Sequence, residues 1–398
     1  MQRRIRVFYL SYTPPVPTWG GAMAFYRHFV ERADFEIAVA TNSAHFSLKS
    51  PPYPVMFFSP SRIVQRLFRT RLLPWVYGLH LLTAVGRVPR NVWRGAKNFK
   101  PDLVFTIAGS WDYSALIAQR VARRLKVPLV VSFNDWFDYG WFPVHLALRP
   151  AIERRFRRFY DDADLALCTS EGMREALGPH PNAHVLYPIG AAQPSGTAEF
   201  TPHRPEDGPA IVAFGGNLGE WYGGMLERLI QHSTGDSDRV RFQIFGSNAT
   251  WSKKFDEWAR GARVFHGQVS FDKLRHEMAC ADVLLLPMGF GESCAQVERT
   301  SFKTKFLDYI SFQKPILVWG PDYCSAVRIA REFDSAECCT SADERVCRAM
   351  LEKLISDPSR QLQLVTNARR MYVDRFNPDR IHNALVQHFR TVISSRHE

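Results

Sequence analysis

The sequence has little of what a membrane-spanning or exported protein needs. The apolar run from Leu72 to Gly86 is only 15 residues long and is interrupted by Pro74 and His80. A helix that spans a bilayer needs about 20 apolar residues, so this run predicts no membrane-spanning segment. The apolar stretch near the N-terminus, residues 5–10, is too short for a signal peptide and predicts a first strand instead.

The sequence lacks any residue cluster with the spacing of a metal site. The seven cysteines are odd in number and fit no zinc pattern, which predicts reduced thiols in a cytoplasmic protein. No group of Asp, His or Cys has metal-ligand spacing, so we expect a site without metal. No G-x-G-x-x-G follows the first strand of either half, which argues against a soluble dehydrogenase.

Acidic residues are missing from residues 61–100, which hold nine Lys and Arg. Apolar residues such as Leu72, Trp75 and Leu79 lie between these cations, and a basic amphipathic pattern is typical of segments that lie on an anionic membrane surface. Two ordinary helices with a basic outer face would have the same pattern. Nucleic acid is not expected as a partner, because no nucleic-acid-binding motif accompanies the charge.

Residues 1–200 carry 25 basic and 14 acidic residues, so most of the net charge of +12 lies in the first half.

What is abundant is alternation of apolar strands with helical segments. At 398 residues and 46% hydrophobic content the chain is long enough for two or three globular domains. Strand and helix patterns alternate through residues 1–189, pause in the Pro-rich, polar linker 190–209, and start afresh at residue 210. Such alternation predicts an α/β fold of two Rossmann-like domains in tandem, 1–189 and 210–375, with a ligand cleft where the strand ends meet. A last helix, within residues 376–398, is expected to cross back to the first domain.

The segment RTSFKTKFLDYISFQKPILVWG, residues 299–320, predicts a loop, a helix capped by Ser301, a turn and a fully buried strand. The preceding residues 287–300 are predicted to form a long loop. Lys305 near the helix N-terminus suits an anionic group, and Asp308 one turn later can accept hydrogen bonds from sugar hydroxyls. A surface helix with an ordinary charge pair is the alternative interpretation.

Six motifs occur in order along the chain and together resemble the two-domain GT-B glycosyltransferases, close to retaining family four. These are TPPVPTWGG at 13–21, TSEGMREAL at 169–177, VLYPIGA at 185–191, VAFGGNLGEWYGG at 212–224, FHGQVSFDKLRHEMACADVLLLP at 265–287 and SFKTKFLDYISFQKPILVWG at 301–320. The resemblance covers nearly the whole chain. It implies an acceptor-binding N-terminal domain, a nucleotide-sugar-binding C-terminal domain, and retaining, metal-independent sugar transfer from a UDP- or GDP-type donor, with no cofactor beyond this co-substrate.

The resemblance also suggests which residues form the site. Phosphate and sugar contacts are expected from two glycine pairs, from the end of a second-domain strand, and from the segment that opens the donor helix. These residues are Gly20, Gly21, Gly215, Gly216, Asn217, Gly246, Thr300, Ser301, Lys303, Lys305 and Asp308. Asn134, Asp135 and Glu292 are the predicted catalytic residues, with Glu298 considered beside Glu292.

This chain departs from the family pattern at several of these positions. Asn217 and Tyr222 stand where the family has an Arg and a Lys, and Asn134-Asp135 stands for its His-Asp. Asp308 replaces a Glu, and Thr300 lies where a second Glu is usual. Lys305 is therefore expected to carry most of the diphosphate's charge.

The predicted function is transfer of a sugar to a lipid-linked or polysaccharide acceptor at the cytoplasmic face of the plasma membrane. Two alternatives remain open: a non-catalytic relative that acts as a binding or scaffolding module, and a sugar-nucleotide epimerase. The residues do not identify the sugar, the base or the acceptor.

Overall fold

The chain folds as two compact units, each built on its own parallel sheet. The structure, a computed structural model, describes residues 3–17, 20–43, 50–84, 87–109, 113–136, 143–191, 200–219, 221–233 and 239–396. One unit comprises Met1–Ile189, Thr300–Phe302 and Pro378–Glu398, and the other comprises Gly190–Arg299 and Lys303–Asn377. Residues 192–199 of the predicted linker lie outside the described part of the chain.

The first unit contains a seven-stranded sheet in which every pairing is parallel, in the order β3-β2-β1-β4-β5-β6-β7. The central strands are buried along their whole length because helices cover both faces of such a sheet. The strands are β1 (Ile5–Leu10), β2 (Phe35–Thr41), β3 (Val55–Phe57), β4 (Leu103–Ala108), β5 (Leu129–Phe133), β6 (Leu165–Cys168) and β7 (Ala183–Val185).

Seven helices connect these strands, and three of them lie in the basic region between β3 and β4. They are α1 (Gly20–Phe29), α2 (Arg62–Leu67), α3 (Leu73–Thr83), α4 (Arg90–Phe99), α5 (Ser114–Leu125), α6 (Arg149–Asp161) and α7 (Glu171–Leu177). No residue of α2 is buried, and α3 exposes Leu72 at its start and Leu79 within it. The basic region therefore presents apolar as well as charged side chains on its surface.

The second unit contains a six-stranded parallel sheet in the order β10-β9-β8-β11-β12-β13. Its strands are β8 (Ala210–Asn217), β9 (Val240–Ser247), β10 (Phe265–Gly267), β11 (Val283–Pro287), β12 (Ile316–Trp319) and β13 (Glu337–Cys339). Its helices are α8 (Gly223–Gln231), α9 (Lys253–Gly261), α10 (Phe271–Cys280), α11 (Glu292–Thr300), α12 (Thr304–Ile310), α13 (Ser325–Phe333), α14 (Glu344–Ile355) and α15 (Pro358–Asp374).

The last helix, α16 (Pro378–Ser394), packs into the core of the first unit. The Phe389 ring lies with its centroid 5.4 Å from that of Phe35. Beside it, His382 Nδ1 lies 3.3 Å from His28 Nδ1, and His382 Nε2 lies 3.1 Å from an Asp34 carboxylate oxygen. Burial lowers the pKa of His28 to about 3, with the neighbouring His382 as the next cause. The contact is therefore formed by neutral imidazoles.

Two tandem parallel α/β sheets confirm the predicted fold class, and the run Ile316–Trp319 is fully buried as β12. The prediction of a loop before Thr300 is wrong, because Glu292–Thr300 form α11. The glycines that precede this segment obscured a helical pattern in which Cys294, Val297 and Glu298 share a buried face. Among the described helices none is both long and apolar enough to cross a bilayer.

Candidate functional site

Glycines lie at the carboxyl ends of β8 and β9, where neighbouring backbone and side-chain atoms leave no room for a Cβ atom. Gly216 pairs with Gly246 in the parallel register. A Cβ atom at Gly246 would overlap the carbonyl group of Gly216, and a Cβ at Gly215 would lie 2.9 Å from a methyl carbon of Leu274. The absence of side chains leaves exposed backbone at this edge, and parallel sheets of this kind bind ligands at the carboxyl ends of their strands.

Lys305, in the first turn of α12, reaches this glycine edge. A Cβ atom at Gly216 would collide with the Lys305 ammonium, so the glycine makes room for the lysine. The next turn of the helix is held against the same edge, since the Gly215 amide donates to the Tyr309 hydroxyl at 3.0 Å. Lys305 Nζ also lies 4.8 Å from the centroid of the Phe214 ring, a cation–π contact.

The Lys305 ammonium lies in an environment that disfavours its charge. Burial lowers its pKa from the ordinary 10.5 to about 8, and the nearby charge of Lys303 adds to the shift. Within the described residues, no hydrogen bond or ion pair engages this ammonium. A partly buried cation with unused donors is suited to an anionic ligand.

A second lysine, Lys303, is paired with a fully buried carboxylate. Lys303 Nζ lies 3.3 Å from Glu298 Oε2, and Glu298 has no exposed surface. Glu298 Oε1 accepts hydrogen bonds from the Tyr222 hydroxyl at 3.0 Å and from the Gly289 amide at 3.1 Å. Tyr222, whose position in the family pattern would hold a lysine, thus helps to hold the carboxylate that pairs with Lys303. Burial raises the pKa of Tyr222 well above its ordinary value, so its hydroxyl remains a donor.

Asn217 and Asp308 have local structural partners. Asn217 Oδ1 accepts from the Gly219 amide at 3.2 Å and from Asn248 Nδ2 at 3.4 Å, which shapes the loop after β8. Asp308 Oδ1 accepts from the Ala191 amide at 2.9 Å. One oxygen of this carboxylate therefore anchors the start of the linker, and its ribose contact stays a prediction.

Asn134 and Asp135 follow β5 at the carboxyl edge of the first sheet. Asn134 Oδ1 accepts from the Ser132 hydroxyl at 3.0 Å. Asp135 Oδ1 accepts from the Ser301 hydroxyl at 2.6 Å, and the Thr300 carbonyl accepts from the Ser170 hydroxyl at 2.5 Å. These bonds hold Thr300–Phe302 within the first unit.

Ser301 does not cap a helix, contrary to prediction. Helix α12 begins at Thr304 with Lys303 as its cap residue, and no side chain caps it. The Ser301 hydroxyl instead donates to a carboxylate at the end of the first sheet. A side chain that is distant in sequence thus competes successfully with the local capping bond that the sequence favoured.

Gly20, Gly21 and Glu292 stay predicted site residues, and each lies at the start of a helix. Gly20 and Gly21 open helix α1, and a Cβ at Gly21 would meet no atom within 4 Å. Glu292 is exposed as the first residue of α11. Glu298 is the buried carboxylate of this region, and the spacing of Cys294, Val297 and Glu298 was the sequence signal for its burial.

The structure thus groups the predicted residues into two sets. In the second unit Gly215, Gly216 and Gly246 lie with Lys305, and Lys303 is near enough to affect the Lys305 pKa. In the first unit Asp135 lies with Ser301. In the described part of the chain, no three or more His, Cys, Asp or Glu side chains are grouped so as to hold a metal ion.

Comparison with known proteins matches part of the first unit to a family model. Residues 20–188 match the model of the glycosyl transferase 4-like domain. No curated protein matches the chain in sequence.

Solved structures with the same fold span nearly the entire chain. Sucrose-phosphate synthase from Thermosynechococcus elongatus is similar with a TM-score of 0.67 at 11% identity, covering 99% of this chain and 100% of that one. HepE from Anabaena, solved in complex with UDP, gives 0.65 at 14% identity over 97% of this chain and 100% of its own. The lipopolysaccharide outer core galactosyltransferase WaaB, in its apo form, gives 0.59 at 15% identity over 98% and 100%.

At these identities the structural likeness establishes the fold alone, and the family match covers residues 20–188, which is less than half of the chain. The chain therefore has the GT-B fold of these glycosyltransferases, and its residues 20–188 are similar to the glycosyl transferase 4-like domain.

Proposed function

We propose that the protein transfers a sugar from a nucleotide-diphosphate donor to a lipid-linked or polysaccharide acceptor, with retention of configuration and without a metal. The observation that carries the proposal is the Lys305 ammonium, which lies against the Gly216 backbone with no hydrogen-bonding or ion-pair partner among the described residues. A nucleoside diphosphate of the UDP or GDP type would satisfy the donors of this ammonium.

The chemistry of the reaction requires a cation at this place. As the bond between the sugar and the diphosphate breaks, negative charge accumulates on the leaving group. A fixed cation in a poorly solvated site stabilises this charge more than it stabilises the ground state. In our proposal Lys305 supplies that cation and Lys303 supplies a second one, which makes a metal ion unnecessary.

The other predicted residues receive roles consistent with their positions. Asp308 is proposed to accept hydrogen bonds from the ribose through the carboxylate oxygen that does not bind the Ala191 amide. Asp135 is proposed to orient the acceptor and to act as its base, with the Ser301 hydroxyl fixing the carboxylate, and Asn134 is proposed to hydrogen-bond the donor sugar. Glu292, at the exposed start of α11, remains a proposed catalytic carboxylate.

Two of the similar structures support the proposed substrates. HepE was solved with UDP, and WaaB is named as a galactosyltransferase of the lipopolysaccharide outer core. A nucleoside diphosphate and a glycan acceptor are thus ligands of proteins with this fold.

The basic region is proposed to hold the enzyme on an anionic membrane surface at the cytoplasmic face. Ile63 is 70% exposed on α2, whose charged residues are both arginines. Leu72 and Leu79, at the start of α3 and within it, are 55% and 50% exposed, and α3 itself contains no Lys, Arg, Asp or Glu. Exposed apolar side chains among cations fit an interface with anionic lipid headgroups. Sedimentation with phosphatidylglycerol vesicles should be strong at low salt and weak at high salt, and equal binding to phosphatidylcholine vesicles would refute this role.

Calorimetry with a panel of UDP- and GDP-linked sugars tests the donor assignment. At least one donor should bind and be slowly hydrolysed, with turnover unchanged by a chelator. Asp135→Asn should lower turnover about 100-fold or more while donor affinity stays the same, because the acid–base role of a carboxylate is lost. Absence of binding to every donor would overturn the proposal, and binding without turnover would favour a binding module.

A further inference from the structure

Four arginines of the first unit lie on adjoining faces of two helices. Arg120 and Arg123 are three residues apart on α5, and Arg155 and Arg158 are three apart on α6, so each pair shares a helix face. Asp162, at the end of α6, joins the two helices. Its Oδ2 accepts from Arg123 Nη2 at 3.2 Å and from Gln119 Nε2 at 2.7 Å. We refer to these four residues as the arginine cluster.

Two buried donors of the arginine cluster have no hydrogen-bond acceptor in the part of the chain that the structure describes. Arg120 Nη1 and Arg155 Nε are both buried, and neither has a hydrogen-bond partner among the described residues. Arg120 is nevertheless held firmly, since its Nη2 donates to the carbonyl of Thr83, the last residue of α3, at 2.7 Å. Unpaired buried N–H groups on charged side chains are costly, so a fold that retains them implies a missing acceptor.

The charges of the cluster are also unbalanced. Asp162 is the one carboxylate within ion-pair distance of any of the four arginines in the described part of the chain. The crowding is visible in the pKa of Arg155, which burial lowers first and the charges of Arg120, Arg158 and Arg123 lower further, against a smaller opposing effect of Asp162. Like charges three residues apart on a helix destabilise it.

We propose that the arginine cluster is a binding site for a phosphate-class anion, with Arg120 and Arg155 as its principal donors. Guanidinium groups bind phosphate oxygens through paired, charge-assisted hydrogen bonds, and they remain charged when partly buried. The site lies entirely in the first unit, whereas Lys305 lies in the second, so it stands independently of the proposed donor site.

Phosphate chemistry of this kind has two sources, a lipid headgroup and a soluble phosphorylated compound. The lipid source has a structural argument in its favour. The exposed residues Leu72, Trp75 and Leu79 follow one another along α3 toward Thr83, whose carbonyl anchors Arg120. A lipid could therefore contact these apolar side chains along the helix while its phosphate binds the arginines.

The first test measures thermal unfolding of the full chain in inorganic phosphate and in chloride at equal ionic strength. Phosphate should raise the Tm of the Lys305→Met protein, a background that removes the proposed donor cation. Phosphate should raise the Tm of the Lys305→Met, Arg154→Gln double variant by the same amount. Arg154 serves as the control because it is an exposed arginine of helix α6 outside the arginine cluster. Arg155→Gln in the same background should weaken phosphate binding about tenfold or more.

Stability without phosphate separates a binding site from a structural role. Arg155→Gln should keep or raise the Tm in chloride, because it removes an unsatisfied donor and a repelling charge. The proposal would be overturned if Arg155→Gln lowered the Tm in chloride and phosphate still raised the Tm of this variant by as much as it raises that of the Arg154→Gln control. The absence of any phosphate effect on the Lys305→Met protein together with unchanged vesicle binding by the cluster variants would also overturn it.

Vesicles distinguish the two sources. If a lipid headgroup is the ligand, Arg120→Gln and Arg155→Gln should each reduce binding to phosphatidylglycerol vesicles more than Arg154→Gln does. If a soluble phosphate compound is the ligand, vesicle binding should be equal in all three variants while the phosphate shift is lost in the first two. Loss of donor binding in Lys305→Met has no bearing on either result.

Discussion

Lys305→Met should raise the free energy of unfolding of the ligand-free protein and should strongly lower its affinity for the donor. The structure places the Lys305 ammonium where burial lowers its pKa from 10.5 to about 8. At 1.36 kcal/mol per pKa unit, holding this lysine charged costs the fold about 3 kcal/mol below pH 8. Methionine fills a similar volume without the charge. At pH 7 the free energy of unfolding of the variant should therefore be higher by a large part of this cost.

The same pKa predicts how the stability of the unsubstituted protein depends on pH. The unfolded chain keeps this lysine protonated up to about pH 10.5, whereas the folded chain releases the proton from about pH 8. Between these values the unfolded state binds more protons, so the free energy of unfolding should rise with pH. Urea denaturation of the two proteins at pH 7 and pH 9.5 measures the difference, which Lys305→Met should abolish.

Donor binding should show the opposite trend. A diphosphate stabilises the charged ammonium, so UDP or GDP should lose affinity above pH 8, by up to tenfold per pH unit. Lys305→Met should bind about 10- to 100-fold more weakly at pH 7, which is the usual worth of a charge-assisted hydrogen bond. Calorimetry from pH 7 to 9.5 checks both. Equal affinity at the two ends of this range, or unchanged binding by the variant, would refute the assignment of Lys305.

Three further changes have defined outcomes. Gly216→Ala should displace the Lys305 ammonium and reduce diphosphate affinity at least tenfold in calorimetry. Gly261→Ala, at a glycine of the same unit whose Cβ would meet no atom within 4 Å, should leave this affinity unchanged. Glu298→Gln can keep both hydrogen bonds to its Oε1 but releases the paired lysine. It should raise diphosphate affinity several-fold and lower the free energy of unfolding by about 2 kcal/mol or more, and a fall in affinity would contradict the pairing. His28, with its pKa lowered to about 3, resists protonation when folded. The protein should therefore lose about 2 kcal/mol of stability between pH 7.5 and 5, and His28→Phe should remove most of that loss in denaturant titrations.

Patterns with a short period were sufficient to predict the architecture. Parallel strands that are buried on both faces must be apolar along their length, so runs such as Ile316–Trp319 stand out in the sequence. Alternation with helical segments then predicts parallel sheets and a restart after the linker. Helix α11 escaped prediction because glycines precede it and because its buried face includes Glu298, a residue type that is usually exposed.

The individual site residues were predictable only in part. The type and spacing of Lys305 and of the glycines at the end of β8 indicated an anionic ligand, since those features follow from local chain geometry. The Ser301 hydroxyl shows the limit of this reasoning, because it donates to Asp135, a residue 166 positions away, instead of capping the next helix.

The sequence by itself determined two parallel α/β units, the position of the lysine-bearing helix and the basic character of residues 61–100. Tertiary structure alone decided that Gly216 makes room for Lys305, that Glu298 pairs with Lys303, and that arginines of α5 and α6 adjoin one another with unsatisfied donors. The physical reason is that a hydrophobic pattern repeats every few residues, so it can be recognised from residues that are neighbours in the sequence. Burial of charge depends instead on which distant side chains the fold brings together, and this determines the pKa of Lys305 and the need for an anion at the arginine cluster.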